Sequence, residues 1–363
     1  MERSVEIGHK IGVLREYLAK RGAPGIHLER VENFAWITAG VNNYVTMNGI
    51  QQECSILITP DQATIVTPHS ELHRLRAQLP RGCFVITVHN WNEDPASVVE
   101  ELQDGGHGLK DEEDETAAFL KSQRIVLNEN ERDRLIHLGH ESASALERGL
   151  ERVTPEMQER EAAVCIVGEL MLRGIEPELV IVSGEANFRA HHNVPGQGEI
   201  GGVCMGIVCA KACGLVVSMT RMLAFRDDVQ LMDQMHINTA IDAAAIDATC
   251  ESATVSQAFE KLVCAYEQHG LPTEWRKLHQ GGVVGYKLKE HFASRRCRVP
   301  IQDGMAFAWN VTIQGTKSED TYLLHDGSMQ WVTRADDSAW PVLKHEVGGR
   351  VYDRPGIRKI NGW

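Results

Sequence analysis

From Val5 to Gly22 (VEIGHKIGVLREYLAKRG) apolar residues recur every three to four positions, which predicts an amphipathic helix stopped by Gly22. Four short strand-like runs follow, GIHLE, NFAWIT, SILITP and ATIVTP, punctuated by Pro60, Asp61 and Gly- or Asn-containing turns. HSELHRLRAQLP returns to the helical period, and CFVITVHNW to the strand period. The stretch from Asp104 to Glu115 (DGGHGLKDEEDE) has no period; Gly-rich and then acidic, it reads as an exposed loop. Beyond it come a helix near Ala117–Ser122, a strand at RIVL and two long helices. The first of these, residues 128–153, takes Asn128 as its cap; the second, 154–174, takes Thr154 as cap with Pro155 in its first turn. ELVIVSGE is a strand, and two helices, MDQMHINTAIDAAAIDATC and TVSQAFEKLVCAYEQHG, lie further on. Between that strand and the helices sits the stretch that organises the chain, Met205 to Met222. Its halves MGIVCA and GLVVSMT predict an apolar hairpin turned through Lys211 to Gly214.

Composition narrows the partners more than the fold. The chain has 363 residues, enough for two domains with formed cores, and its 43% hydrophobic and 24% charged content is that of an ordinary soluble protein. A net charge of −13 without a basic patch argues against nucleic acid or an anionic membrane surface as partner. The first ten residues carry charges where a signal peptide needs an apolar core, and no run reaches the ~18–20 apolar residues of a membrane span. Nine cysteines, an odd number with no C-x-x-C pair, read as buried thiols in a reducing cytoplasm.

The hairpin resembles the core hairpin of the metallo-aminopeptidase, prolidase and creatinase superfamily, D-x-G-x(n)-G-Y-x-x-D-x-T-R, through Gly214 and Thr220-Arg221. Asn33 to Gly40 resembles the N-x-x-W/Y-L-T-G segment of the same proteins, and Glu71-Leu72-His73-Arg74 their E-x-x-R. The resemblance covers about residues 5 to 340. It implies an α/β (α+β) architecture: a small creatinase-type amino-terminal α/β domain over 1–115 and a carboxy-terminal pita-bread domain over 116–363. It also implies a homodimer.

In that superfamily five ligands hold two divalent metals. Here the matching positions are Ile207, Ser218, Gly282 (in Gly281-Gly282-Val283-Val284-Gly285, against G-H-G-I-G), Asn310 (in Ala308 to Thr312) and Glu319 (in Ser318-Glu319-Asp320-Thr321). One carboxylate with an amide and a hydroxyl cannot hold a dinuclear site, so no metal ligand and no cofactor is expected. Gly282 is expected to open space for a larger ligand. His192, in His191-His192-Asn193-Val194-Pro195, matches the catalytic His of the metal-free creatinases and is expected to move protons. Glu319, if it faces an emptied cavity, is expected to have its pKa raised by desolvation and to act as acid–base partner; an ion pair with Arg221 or Lys317 is the alternative. Arg221, Ser218, Asn310, His279, His191 and Lys289 are expected to line the substrate site. Lys289 falls at the family's substrate-binding His and suits a substrate carboxylate.

The resulting expectation is a metal-independent, creatinase-like enzyme. It would hydrolyse a C–N bond of a small amino-acid-like or carboxylated metabolite, or eliminate from one. The alternatives are an inactive relative that binds a peptide, protein or small molecule and, further off, an Xaa-Pro-type metallopeptidase.

Overall fold

The computed structural model describes residues 2–46, 51–103, 106 and 108–360, and the chain divides into two compact units. One runs to Arg124 and adds Asn128–Glu131 and Cys213–Leu215; the other holds the remainder.

In the first unit, α1 (Arg3–Arg21) ends at Gly22 in the left-handed conformation (φ 62°), which a residue without Cβ adopts freely. β1 (Ile26–Leu28) leads to α2 (Val31–Ile37), a helix where the apolar run NFAWIT predicts a strand. The cause is remote in sequence. The Asp111 carboxylate accepts hydrogen bonds from Glu29 N–H (3.0 Å), Arg30 N–H (2.9 Å) and Asn33 Nδ2 (2.8 Å), placing an anion at the helix start. β2 (Ser55–Ile58), β3 (Ala63–Pro68), α3 (Leu72–Gln78), β4 (Val85–His89), α4 (Pro95–Leu102), β5 (Leu109–Lys110) and α5 (Asp114–Arg124) complete the unit. Its sheet has the order β4-β3-β2-β1-β5. The acidic stretch is therefore not a plain exposed loop. It supplies an edge strand, the buried Asp111 and the start of α5, while Asp104, Gly105 and His107 lie outside the described residues.

RIVL forms no strand, only a single bridge from Val126 to Met305. α6 (Glu129–Leu150) is capped by Asn128, whose Oδ1 accepts from Glu131 N–H at 3.0 Å while Glu131 Oε2 accepts from Asn128 N–H at 2.9 Å. α7 (Glu159–Leu172) starts at Gln158 rather than Thr154. Residues 155–158 are held instead by the 199–201 segment, through Ile200 N–H to the Met157 carbonyl and Gly201 N–H to that of Pro155.

The second unit continues with β6 (Glu176–Ser183), β7 (Val203–Ala212) and β8 (Leu215–Ala224). The expected hairpin is present, and its turn is only Cys213-Gly214, both with positive φ (50° and 77°), as a two-residue turn between twisted strands requires. α8 (Val229–Asp247) and α9 (Val255–Gln268) follow, then β9 (Gly281–Val284), β10 (His291–Phe292), β11 (Ala306–Ile313), β12 (Thr316–His325), β13 (Ser328–Trp331), β14 (Val342–Val347), β15 (Arg350–Pro355) and β16 (Ile357–Lys359). Two sheets, β16-β8-β7-β6 and β10-β9-β11-β12-β13, lie beside a β14–β15 hairpin. Phe259, Tyr266, Phe307 and Trp309 lead one core cluster; Met205, Ile207, Met222 and Met235 form another. Among the described residues no helix is long and apolar enough to cross a membrane.

Candidate functional site

β11 and β12 pair antiparallel with Asn310 directly opposite Glu319 and Thr312 opposite Lys317. Side chains alternate along a strand, so Lys317 and Glu319 share the Asn310 face, and Ser318 and Asp320 face the other way. The Lys317 ammonium donates to Asn310 Oδ1 and stands 3.4 Å from Glu319 Oε2. Glu319 Oε2 also accepts from Thr220 Oγ1 of β8 at 3.3 Å. All four side chains are buried. The hairpin reaches the same face with Ser218, whose hydroxyl lies 3.3 Å from Cys209 Sγ, and Thr321 Oγ1 joins the sheets by bonding the Ser218 backbone N–H and carbonyl (2.8 and 3.1 Å). His279 sits at the edge of this cluster, its Nδ1 accepting from Gly281 N–H at 3.3 Å and lying 3.5 Å from Asn310 Nδ2.

Charge at the cluster is dominated by two lysines. Burial pushes the Glu319 carboxyl up, but the Lys317 and Lys289 ammoniums outweigh it and hold the group below its ordinary value. The expected raised acid–base carboxyl is therefore an ionised partner of Lys317. Lys289 is half-buried, and burial holds its ammonium below the usual lysine range, Glu319 working against that and Lys317 with it. No hydrogen bond or ion pair within the described residues engages Lys289. Burial, then Lys289 and Lys317, bring the His279 imidazole down to about 4, so it is neutral at pH 7. The Cys209 thiol is pushed up to about 11 by burial and by Glu319, so it stays protonated and is a poor nucleophile.

Several expected residues lie elsewhere or differently. Arg221 leaves the site: it points to the opposite face of β8, bonded to Glu147 (3.3 Å), Asp320 (3.0 Å) and the Thr333 carbonyl (2.7 Å). Ser218 is fully buried against Cys209 rather than open to a ligand. Gly282 opens no space. Its φ is 147° and a Cβ there would meet the His291 carbonyl oxygen at 2.1 Å, because β10 pairs against β9 at that point. His192 is exposed and His191 half-buried on the loop after β6, close enough to His279 and Lys317 for the charges to interact. The His191 pKa is held down by burial, then by Lys277.

One contributor, Lys317, enters the sequence reading only as an alternative ion-pair partner of Glu319, and another, Glu159, escapes it. Lys317 is placed by the two-residue alternation with Glu319, a signal that was available in TKSED. Glu159 has no such signal: buried, it anchors both ends of the histidine loop by accepting from Gly184 N–H (2.9 Å), Asn187 Nδ2 (3.0 Å) and Gly196 N–H (3.2 Å).

The donor set does not fit a pair of divalent metals. Ile207 is packed in an apolar cluster, Gly282 admits no side chain, and Glu319 already faces an ammonium. Among the described residues, three metal-type donors converge only at Asp303, His325 and Asp326, where Arg132 Nη1 stands 2.8 Å from His325 Nδ1.

Two sheets packed with helices, with a hairpin and a β11–β12 pair meeting at one polar cluster, match the pita-bread fold of the prolidases and Xaa-Pro dipeptidases, preceded by their amino-terminal domain. A prolidase from Pyrococcus horikoshii OT3 superposes with TM-score 0.74 at 16% identity, covering 90% of this chain and 99% of that one. Dipeptidase PepE from Mycobacterium ulcerans gives 0.75 at 15%, covering 98% and 99%. The amino-terminal domain of FACT complex subunit SPT16 from Cicer arietinum gives 0.65 at 12%, covering 91% and 95%. No family model matches the chain, and no curated protein matches its sequence.

Proposed function

We propose that this chain uses the pita-bread scaffold without metal, binding a small carboxylated, amino-acid-like metabolite at the Lys289–His279 edge of the cluster. One observation carries the reading: Lys289 is a half-buried cation with no partner among the described residues, beside a carboxylate already committed to Lys317. A cation so placed gains a charge-assisted partner when a carboxylate arrives. Neutral His279 offers a hydrogen bond, and exposed His192 is the group free to move a proton for C–N hydrolysis or elimination. A second reading, binding without turnover, draws on the ionised Glu319, which has no proton to donate and is a weak base beside Lys317, and on Arg221, which is committed to Asp320. The likeness to a domain named as a complex subunit belongs to that reading.

The test is a melting screen of the full chain against small amino and carboxylic acids, followed by mass analysis of each stabilising compound after incubation. Lys289→Met is expected to abolish the stabilisation. His192→Ala is expected to keep it and to lower turnover by about 10²–10⁴-fold. Stabilisation that survives Lys289→Met sinks the site; stabilisation without any product selects the binding reading. The homodimer and the cytoplasmic setting belong to the same proposal, and light scattering at several concentrations tests the first.

A further inference from the structure

The structure assigns to Lys317 the place of a divalent cation: its ammonium is a built-in positive charge that holds Asn310 and Glu319 together across the paired strands β11 and β12. The inference rests on the metal-free reading above but concerns the scaffold rather than the ligand. Asn310 and Glu319 are direct cross-strand partners, and both direct an oxygen at Lys317 Nζ. The three side chains are 2%, 4% and 5% exposed for Asn310, Glu319 and Lys317, so this is an internal arrangement rather than a surface pair.

Charge balance explains the residue types. A dication suits two carboxylates; one ammonium suits one carboxylate and one neutral oxygen, which is what Glu319 and Asn310 supply. A glutamate at 310 would set two carboxylates against the single Lys317 ammonium that both residues face. The remaining positions are closed consistently. Ile207 fills one with hydrocarbon, Cys209 and Ser218 pair at another, and β10 seals Gly282. The Lys317 stem projects from the same strand as Glu319, two residues away, so the cation cannot be lost to a chelator or exchanged.

The experiment is thermal melting of the full chain and its variants, with no reading of activity or ligand. Wild type is expected to be indifferent to Mn²⁺, Co²⁺, Zn²⁺ and EDTA. Lys317→Ala is expected to melt roughly 5–10 °C lower, because a buried carboxylate loses its partner. Ethylammonium chloride is expected to restore part of that loss, beyond the same concentration of sodium chloride. Lys317→Met, which keeps the stem's bulk without its charge, is expected to stay low, and Lys317→Met/Glu319→Gln to melt above it, because the orphaned charge is gone. If Lys317→Ala does not fold, the Met and Met/Gln pair carries the test. A wild type stabilised by a divalent ion, a Lys317→Met that melts with wild type, or a double variant no better than Lys317→Met overturns the assignment. Failure of the Lys289 and His192 tests leaves these outcomes untouched, and the reverse holds.

Discussion

A β-carbon at position 282 would stand 2.1 Å from the His291 carbonyl oxygen and 2.7 Å from Ala293 N, on a backbone with φ 147°. A lost ligand side chain usually leaves a hole; here the paired strand β10 occupies the space, so the backbone itself excludes a side chain. Gly282→Ala is therefore expected to cost about 3 kcal/mol or more, by clash and by unfavourable φ together. Gly282→His is expected to fail as a way of restoring metal binding. Urea unfolding checks this, and an alanine variant within 0.5 kcal/mol of wild type, on the scale of neutral surface changes, sinks it. His279 shows the complementary case. Its identity is plain in the sequence, but its neutrality comes from burial and from lysines 289 and 317, which stand near it only after folding.

The strand β12 carries two kinds of work on its two faces. Lys317 and Glu319 serve the candidate site, while Ser318, Asp320 and Tyr322 join a buried network with Arg354, Asp242 and Arg221. The alternation was legible in TKSEDTY; which face meets which partner was not. At the hairpin, the pattern of apolar residues placed β7 and β8 correctly, but the length of the turn depended on two successive residues with positive φ. Gly214 has φ 77°, and Gly214→Ala is expected to destabilise by about 1–2 kcal/mol without altering ligand binding at Lys289. A shift in the binding midpoint alongside the loss of stability would show that the turn reaches the site. The helix α2 marks the limit of period-based reading. NFAWIT has the composition of a strand, and the Asp111 carboxylate, 78 residues from Asn33, joins Glu32 in giving its first turn the negative charge that favours a helix.

Across the whole second unit, buried charges set the response to pH. Burial, followed by His236 and Arg354, brings His345 down to about 4, and its Nε2 lies 2.8 Å from Thr239 Oγ1, a hydroxyl that donates to the helix backbone. A histidine with a folded pKa below its unfolded value of about 6.5 binds more protons when unfolded, so its contribution is present at pH 7 and lost as pH falls towards 4. Wild type is expected to lose about 1–2 kcal/mol through this group between pH 7 and 5, and His345→Gln to lose correspondingly less. Asp242 acts with the opposite sign: burial pushes its carboxyl up to about 6 despite Arg354, so its charged form costs stability as pH rises through that window. The difference between wild type and His345→Gln isolates the histidine, and parallel curves for the two would refute the assignment.

The sequence by itself determined the long helices of the second unit, the Asn128 cap, the apolar hairpin and the absence of carboxylates at 207, 218, 282 and 310, since these depend on local period and residue type. It left open what replaced the carboxylates. That Glu319 pairs with Lys317 and Arg221 with Glu147 and Asp320, that β10 closes Gly282, and that Lys289 is a half-buried cation with no partner among the described residues were decided by tertiary structure. Each depends on how far burial separates a charge from water and on which opposite charge the sheets bring within reach, and neither quantity is a property of neighbouring residues in the chain.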